Sequence, residues 1–280
     1  MTSSKSIFGI IIEHKYLLHI MDFNYDRFEN EISQDDYLNQ YPFPYTFFDG
    51  LFDSNLLDRV VEEIDEGKYK KDVRDIKGEE VKTRSEFKNI EDIPENCFKV
   101  FSIMNGGRFL NCLSNFTSIE GLICDPYYSG GGINKIEKSG TLAIHVDGTT
   151  HHKMNIKRRL NAILFLNKDW QDAWGGHHEQ WVPKNEDLDP FDKNQNWECV
   201  RLIRPKFNRL MIFTTNDYSW HGHTKELSLP AGNSRKSLIT YYYTTDRPKS
   251  DLRFEEPHRA LFINNSTSIK EDSLKDVPIV

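Results

Sequence analysis

The sequence predicts a mainly β protein, a β-sandwich or jelly roll buttressed by N-terminal helices. Three observations carry this. Helical periodicity is confined to the residues before about Leu122. Four strand patterns follow: "TLAIHVD" from Thr141, "RLNAILFLN" from Arg159, "NRLMIFTT" from Asn208 and "SLITYYYT" from Ser237. Turn signals such as "SGGGI", "WGGH" and "LPAGN" punctuate them.

The elements follow in order. Residues 1–40 are weakly patterned and are expected to be an N-terminal extension. Residues 41–262 are expected to form a single domain, with helical support over 41–121 and the strand core over 122–247. "YPFPYTFFDGLF" at 41–52 reads as a strand with a turn. Asp53 or Ser54 can cap a helix whose Leu56, Leu57, Val60, Val61 and Ile64 recur at helical spacing, and Gly67 ends it. Residues 68–93 are polar and read as irregular. Two helices are expected between Pro94 and Leu122, separated at Gly106 and Gly107. The polar residues 263–280 read as a loose C-terminal tail.

Composition excludes several classes. A net charge of -7 gives no electrostatic reason to expect nucleic acid. The apolar N-terminal run "IFGIII" is broken by Glu13, His14 and Lys15, short of the ~20 residues that a membrane span needs. No cleavage-site pattern of small residues follows it, so a cytoplasmic protein is expected. The four cysteines show no C-x-x-C spacing and are too few for a disulfide framework.

The chemistry starts from "TLAIHVDG". Strand alternation turns Thr141, Ala143, His145 and Asp147 to one side and Leu142, Ile144 and Val146 to the other. The apolar set suits a core. The other set suits a cavity wall with two metal ligands at its mouth, although a lone His-x-Asp triplet is as readily a surface pair. Two imidazoles and one carboxylate on one face of a metal leave three positions open, the arrangement of non-haem Fe(II) oxygenases. "SWHGH" supplies the third ligand just after a strand: His221 is favoured, with His223 as a substitute or supporting residue. If 2-oxoglutarate is the electron source, its far carboxylate needs a buried cation. Arg235 and Ser237 share a strand face and can grip it, and Asn161, opposite in direction to Leu160, Ala162 and Leu164, can serve the same carboxylate.

The order H-x-D, strand, G-G, strand, H-G, R-x-S resembles the Fe(II)/2-oxoglutarate-dependent oxygenases, and within them the prolyl 4-hydroxylase-like branch. The likeness runs through "GGGINKIEKSGTLAIHVD", "RRLNAILFLNKDWQDAWGGHHEQW", "FNRLMIFTTNDYSWHGH" and "SRKSLITYYYT", about residues 122–247. It implies a double-stranded β-helix of cupin-like jelly-roll form, with His145, Asp147 and His221 on iron and Arg235 on the cosubstrate. It implies a hydroxylase that converts 2-oxoglutarate and dioxygen to succinate and carbon dioxide, with L-ascorbate as a reductant. Its first implied substrate is a prolyl residue of a protein or peptide; a free amino acid, a sugar or another metabolite is the alternative.

Two departures stand out. Relatives often carry a tyrosine at the position of Phe165 whose phenol helps hold the cosubstrate, which leaves Asn161 and Ser237 to carry more. In "GGHHEQW", His178 replaces a more usual apolar residue. It is expected at the substrate rim or behind the ligands, together with His223, Trp220 and Trp181. Weaker rivals are a metal pair at His177 and Glu179, and the His151–His152 loop, which reads as solvated. A non-catalytic metal-binding jelly roll would fit the three ligands but has no use for Arg235, Ser237 and Asn161. A zinc hydrolase would lack a general base.

Overall fold

A computed structural model describes residues 22–76, 79–254, 257–263, 274 and 276–280. The apolar N-terminal run therefore lies outside the described residues. Five helices, α1 (Tyr25–Asn30), α2 (Gln34–Leu38), α3 (Ser54–Glu66), α4 (Glu95–Met104) and α5 (Gly107–Thr117), accompany thirteen strands among those residues. The strands are β1 (Tyr45–Asp49), β2 (Lys71–Ile76), β3 (Glu80–Ser85), β4 (Ile123–Cys124), β5 (Gly132–Ile136), β6 (Thr141–Val146), β7 (Lys157–Phe165), β8 (His178–Pro183), β9 (Trp197–Ile203), β10 (Arg209–Thr214), β11 (His221–His223), β12 (Arg235–Thr244) and β13 (Leu261–Phe262).

All thirteen join one sheet in the order β1-β10-β7-β12-β5-β3-β6-β11-β8-β9, with β13 beside β6, β2 beside β3 and β4 beside β12. The sheet curls back on itself. Phe213 of β10 meets His178 of β8 and His221 of β11 at ring separations of 5.1 and 4.9 Å. Ile203 of β9 packs with Phe165, Met211 and Phe213 from the opposite half. This is the expected jelly-roll form, mainly β with flanking helices.

Strand β7 shows why the fold is stable. Leu160, Ala162 and Leu164 face the helices and join a core with Leu57, Val60, Val100, Phe101, Phe109 and Leu113. Ile163 and Phe165 face the interior of the curl. A strand buried on both sides is nearly all apolar, so polar Asn161 on its inner face stands out. Helix α3 forms as its sequence dictates. Asp53 Oδ1 accepts from the Leu56 amide at 2.9 Å, and Gly67 closes the helix at φ +65°. Its buried Leu56, Leu57, Val60 and Ile64 contribute about 1.5–3 kcal/mol each.

Several expectations are corrected. Residues 68–93 contain the β2–β3 hairpin. Its strands escape notice because charges occupy both faces; Asp72, for example, pairs with Arg74 and Arg84. Strands β5 and β9 were not expected. Within 1–40, α1 packs Phe28 against Phe48 and Phe109. The chain end is docked rather than loose: the Leu202 amide donates to the Pro278 carbonyl at 3.0 Å and the Val280 amide to the Leu202 carbonyl at 2.9 Å. Residues 264–273 of the expected tail lie outside the described residues.

Candidate active site

His145 ends β6, Asp147 follows it, and His221 opens β11. The two strands pair antiparallel with His221 opposite His145. One ligand atom from each of His145, Asp147 and His221 lies within 4.8 Å of the others. His145 Nε2 is 3.9 Å from Asp147 Oδ1, and His221 Nε2 is 3.6 Å from Asp147 Oδ2. His223 is outside this cluster.

The tautomers follow from the partners. His145 Nδ1 faces the Ala143 carbonyl at 2.9 Å and His221 Nδ1 the Ser219 carbonyl at 2.8 Å. A carbonyl can only accept, so Nδ1 carries the proton and both Nε2 lone pairs point inward, as metal-binding imidazoles require. Burial, then the neighbouring His221, pushes His145 down to about 3. Burial also lowers His221. Burial would raise the Asp147 carboxyl, but Arg158, His221, His145 and the bond from Asn161 outweigh it and hold it below the usual carboxylate range. Two neutral imidazoles and an ionised carboxylate are the protonation states in which these groups bind a divalent cation.

Gly222 keeps the two strands close. A Cβ there would meet the Leu142 and Ala143 carbonyls at 2.7 and 2.9 Å. Its role is close approach. Phe262 of β13 stacks on the His145 ring at 5.0 Å and covers it from the C-terminal side.

Arg235 is 6% and Ser237 0% exposed. Arg235 Nε donates to the Gly176 carbonyl at 2.7 Å, and its guanidinium lies 5.0 Å from the centre of the Phe165 ring. Gly176, at φ +70°, is required here, since a Cβ would meet Leu227 Cδ2 at 2.6 Å and Arg235 Cδ at 3.1 Å. No carboxylate among the described residues pairs with Arg235, and burial lowers its pKa to about 10. Ser237 Oγ, opposite Phe165 in the β7–β12 register, has no hydrogen-bond partner. A buried cation with no carboxylate beside it and a buried hydroxyl with no hydrogen-bond partner fit a ligand that brings a carboxylate.

Other expected site residues are placed differently. Asn161 Nδ2 donates to Asp147 Oδ2 at 2.7 Å, so its side chain serves the aspartate and not the Arg235 region. His178 is not at a rim: it is 4% exposed and stacks on His221 at 5.2 Å. Trp181 and Trp220 are fully buried in a cluster on the far side of β6 and β8, with Ile144, Val146 and Trp197. Single-strand alternation explains this: His178 and Gln180 face inward, and Glu179 and Trp181 outward. The rival pair separates, because His177 bonds Asp172 while Glu179 accepts from Trp181 and the Thr224 amide. His151 is buried on Asp125 at 3.1 Å rather than solvated.

Sequence reasoning missed Arg158 as a site residue. Its Nη1 is 3.0 Å from Asp147 Oδ1, and its guanidinium covers the Tyr241 ring at 3.8 Å.

Residues 131–243 match the model of the 2OG-Fe(II) oxygenase superfamily. That segment holds every residue of this cluster and of the Arg235 region, on a curled antiparallel sheet, and over it the chain is similar to the 2OG-Fe(II) oxygenases, the 2-oxoglutarate-dependent dioxygenases. Members of this family use Fe(II), 2-oxoglutarate and dioxygen. Among solved structures, a prolyl 4-hydroxylase from Phytophthora capsici is similar at 16% identity and a TM-score of 0.52, over 83% of this chain and 70% of that one. A Pseudomonas putida prolyl-4-hydroxylase is similar at 14% identity and a TM-score of 0.49, over 75% of this chain and 96% of that one. A Trichoplax adhaerens prolyl hydroxylase, solved with a hypoxia inducible factor peptide fragment, is similar at 12% identity and a TM-score of 0.47, over 86% and 94%. No curated protein sequence matches the chain. No helix among the described residues is long and apolar enough to cross a membrane.

Proposed function

We propose that the protein hydroxylates a C–H bond of its substrate, with His145, Asp147 and His221 as the Fe(II) ligands and Arg235 with Ser237 on the far carboxylate of 2-oxoglutarate. The observation that carries this is the convergence of two inward Nε2 atoms and one carboxylate within 4.8 Å. The iron, when bound with 2-oxoglutarate, supplies the activation of dioxygen for C–H oxidation. The chain's own residues prepare that site. Ala143 and Ser219 carbonyls orient the imidazoles, Arg158 and Asn161 hold the aspartate ionised, and Arg235 offers a charge where water is excluded.

The substrate in this reading is a prolyl residue of a protein or peptide, and ascorbate is the reductant that maintains Fe(II). The test is succinate release from the Fe(II)-loaded protein against a panel of peptides, free amino acids, sugars and other metabolites. Mass spectrometry reports the added oxygen. Proline-dependent release with oxygen on the prolyl ring is expected, and His145→Ala should abolish it. Oxygen on a free metabolite would overturn the prolyl assignment. Tight binding of Fe(II) and 2-oxoglutarate with no succinate from any substrate would make the chain a sensor instead.

A further inference from the structure

His223 is the one buried histidine among the described residues with both ring nitrogens buried and unpaired. It is 2% exposed, and neither ring nitrogen has a hydrogen-bond partner. His145 and His221 are anchored on carbonyls, His151 on Asp125 and His177 on Asp172, while His178, whose Nε2 is also unpaired, lies against the rings of His221 and Phe213 beside the metal cluster. Leaving a buried polar group unpaired is unfavourable, so a ring with two such atoms calls for a partner that the protein itself does not supply.

Its position says which partner. Between His221 and His223 the β6 register slips: His221 faces His145, but His223 faces Leu142. The slip carries His223 away from the metal cluster. On the other side of β11, His221 pairs with Gln180 and Gly222 with Glu179 of β8, so β11 runs from His221 to His223 toward the start of β8, beside Gly176, whose carbonyl accepts from Arg235 Nε. An imidazole always carries at least one N–H that can donate.

The Arg235 region lacks a donor of this kind. Phe165 lies against the guanidinium with no hydroxyl to offer. Asn161 is committed to Asp147 and sits four residues further along β7, ~13 Å away along the strand. Ser237 and His223 are buried, unpartnered groups on this side of the curl, whereas His178 lies against His221 and Phe213.

We propose that His223 donates a hydrogen bond to the far carboxylate of 2-oxoglutarate beside Arg235. This rests on the hydroxylase reading above. The bond is charge-assisted on the carboxylate side and fixes the cosubstrate's depth in the curl.

The experiment uses the full chain with Fe(II) under anaerobic conditions. It follows the visible charge-transfer band as 2-oxoglutarate is added. His223→Phe should weaken 2-oxoglutarate about tenfold and leave Fe(II) affinity unchanged. Affinity for pyruvate, which has the chelating end but no far carboxylate, should also stay unchanged. His223→Gln keeps an N–H and should recover most of the loss. Equal 2-oxoglutarate affinity in His223→Phe, or an equal loss for pyruvate, overturns the proposal. If His223→Phe does not fold, the wild type decides. In the Zn(II)-loaded protein with 15N-labelled histidine, 2-oxoglutarate but not pyruvate should protect one imidazole N–H, assigned by its loss in His223→Gln. No such response overturns the proposal. A wild type with no charge-transfer band overturns the hydroxylase reading itself, whereas a normal band with an indifferent His223→Phe overturns only the role of His223.

Discussion

Asn161 donates its side-chain N–H to Asp147 at 2.7 Å. With Arg158 on the other carboxylate oxygen at 3.0 Å, both oxygens of the aspartate are held from β7. Asp147 stands beyond the end of β6 and has no ladder of its own to fix it, so its position depends on these two side chains.

The first prediction follows. Asn161→Ala frees one Asp147 oxygen and should weaken Fe(II) or Co(II) binding about 10–100-fold, the usual cost of losing a group that orients a ligand. The affinity of the metal-loaded variant for 2-oxoglutarate should change little. Metal titration separates this from the expectation, drawn from strand direction alone, that Asn161 serves the cosubstrate. Unchanged metal affinity with weakened 2-oxoglutarate would restore that expectation.

The face on which Asn161 lies was legible in the sequence, because β7 alternates cleanly from Leu160 to Phe165. Arg158 was not. Leu160 pairs with Tyr242 and Arg158 with Tyr243, so Arg159 is an extra residue in the strand. Such a bulge reverses the alternation and brings Arg158 to the same side as Asn161. Nothing in "KRRLN" marks it. The slip between His221 and His223 hid the destination of His223 in the same way. The H-x-D triplet, the H-G after β10 and the R-x-S on β12 were legible because each is a local pattern on one strand. Their distances are set by pairing between strands that lie far apart in sequence. The β2–β3 hairpin was hidden because its ion pairs, not an apolar face, mark it.

The second prediction concerns Arg235. Arg235→Ala removes the buried cation that a dicarboxylate would meet. Losing one side of a buried charge pair costs about 2–5 kcal/mol, so the 2-oxoglutarate requirement should rise at least about thirtyfold. Fe(II) binding should persist, since Arg235 touches Gly176 and Phe165 and none of the three clustered ligands. Succinate formation against cosubstrate concentration gives the first quantity and a metal titration the second. A variant with wild-type cosubstrate affinity would remove Arg235 from the site.

The third prediction tests how Arg235 is seated. Gly176 sits at φ +70°, and a Cβ would press on Leu227 and Arg235. Gly176→Ala should therefore destabilise the fold by about 1–3 kcal/mol and also displace the guanidinium. Thermal denaturation reads the first effect. The second appears as weakened 2-oxoglutarate with unaltered metal affinity, a smaller version of the Arg235→Ala phenotype. Destabilisation without any cosubstrate effect would show that the glycine serves only the backbone.

The last prediction is a pH dependence centred on Glu179, on the outward face of β8. Burial lifts its carboxyl from 4.5 to about 7, against the hydrogen bonds from the Thr224 amide and Trp181. A group whose pKa is raised by folding binds its proton more tightly in the folded state. Its contribution to stability is therefore complete below about 4.5 and is lost as pH rises through about 7. Glu179→Gln keeps a neutral acceptor for Trp181 and Thr224 and has no proton to lose. The two proteins should match near about pH 4.5, and the variant should be the more stable above about pH 7, by up to on the order of 3 kcal/mol. Denaturant unfolding of both proteins across that range measures the gap. Parallel stability profiles would mean that Glu179 ionises in the folded protein as easily as in the unfolded chain, and that Trp181 and Thr224 compensate its burial in full.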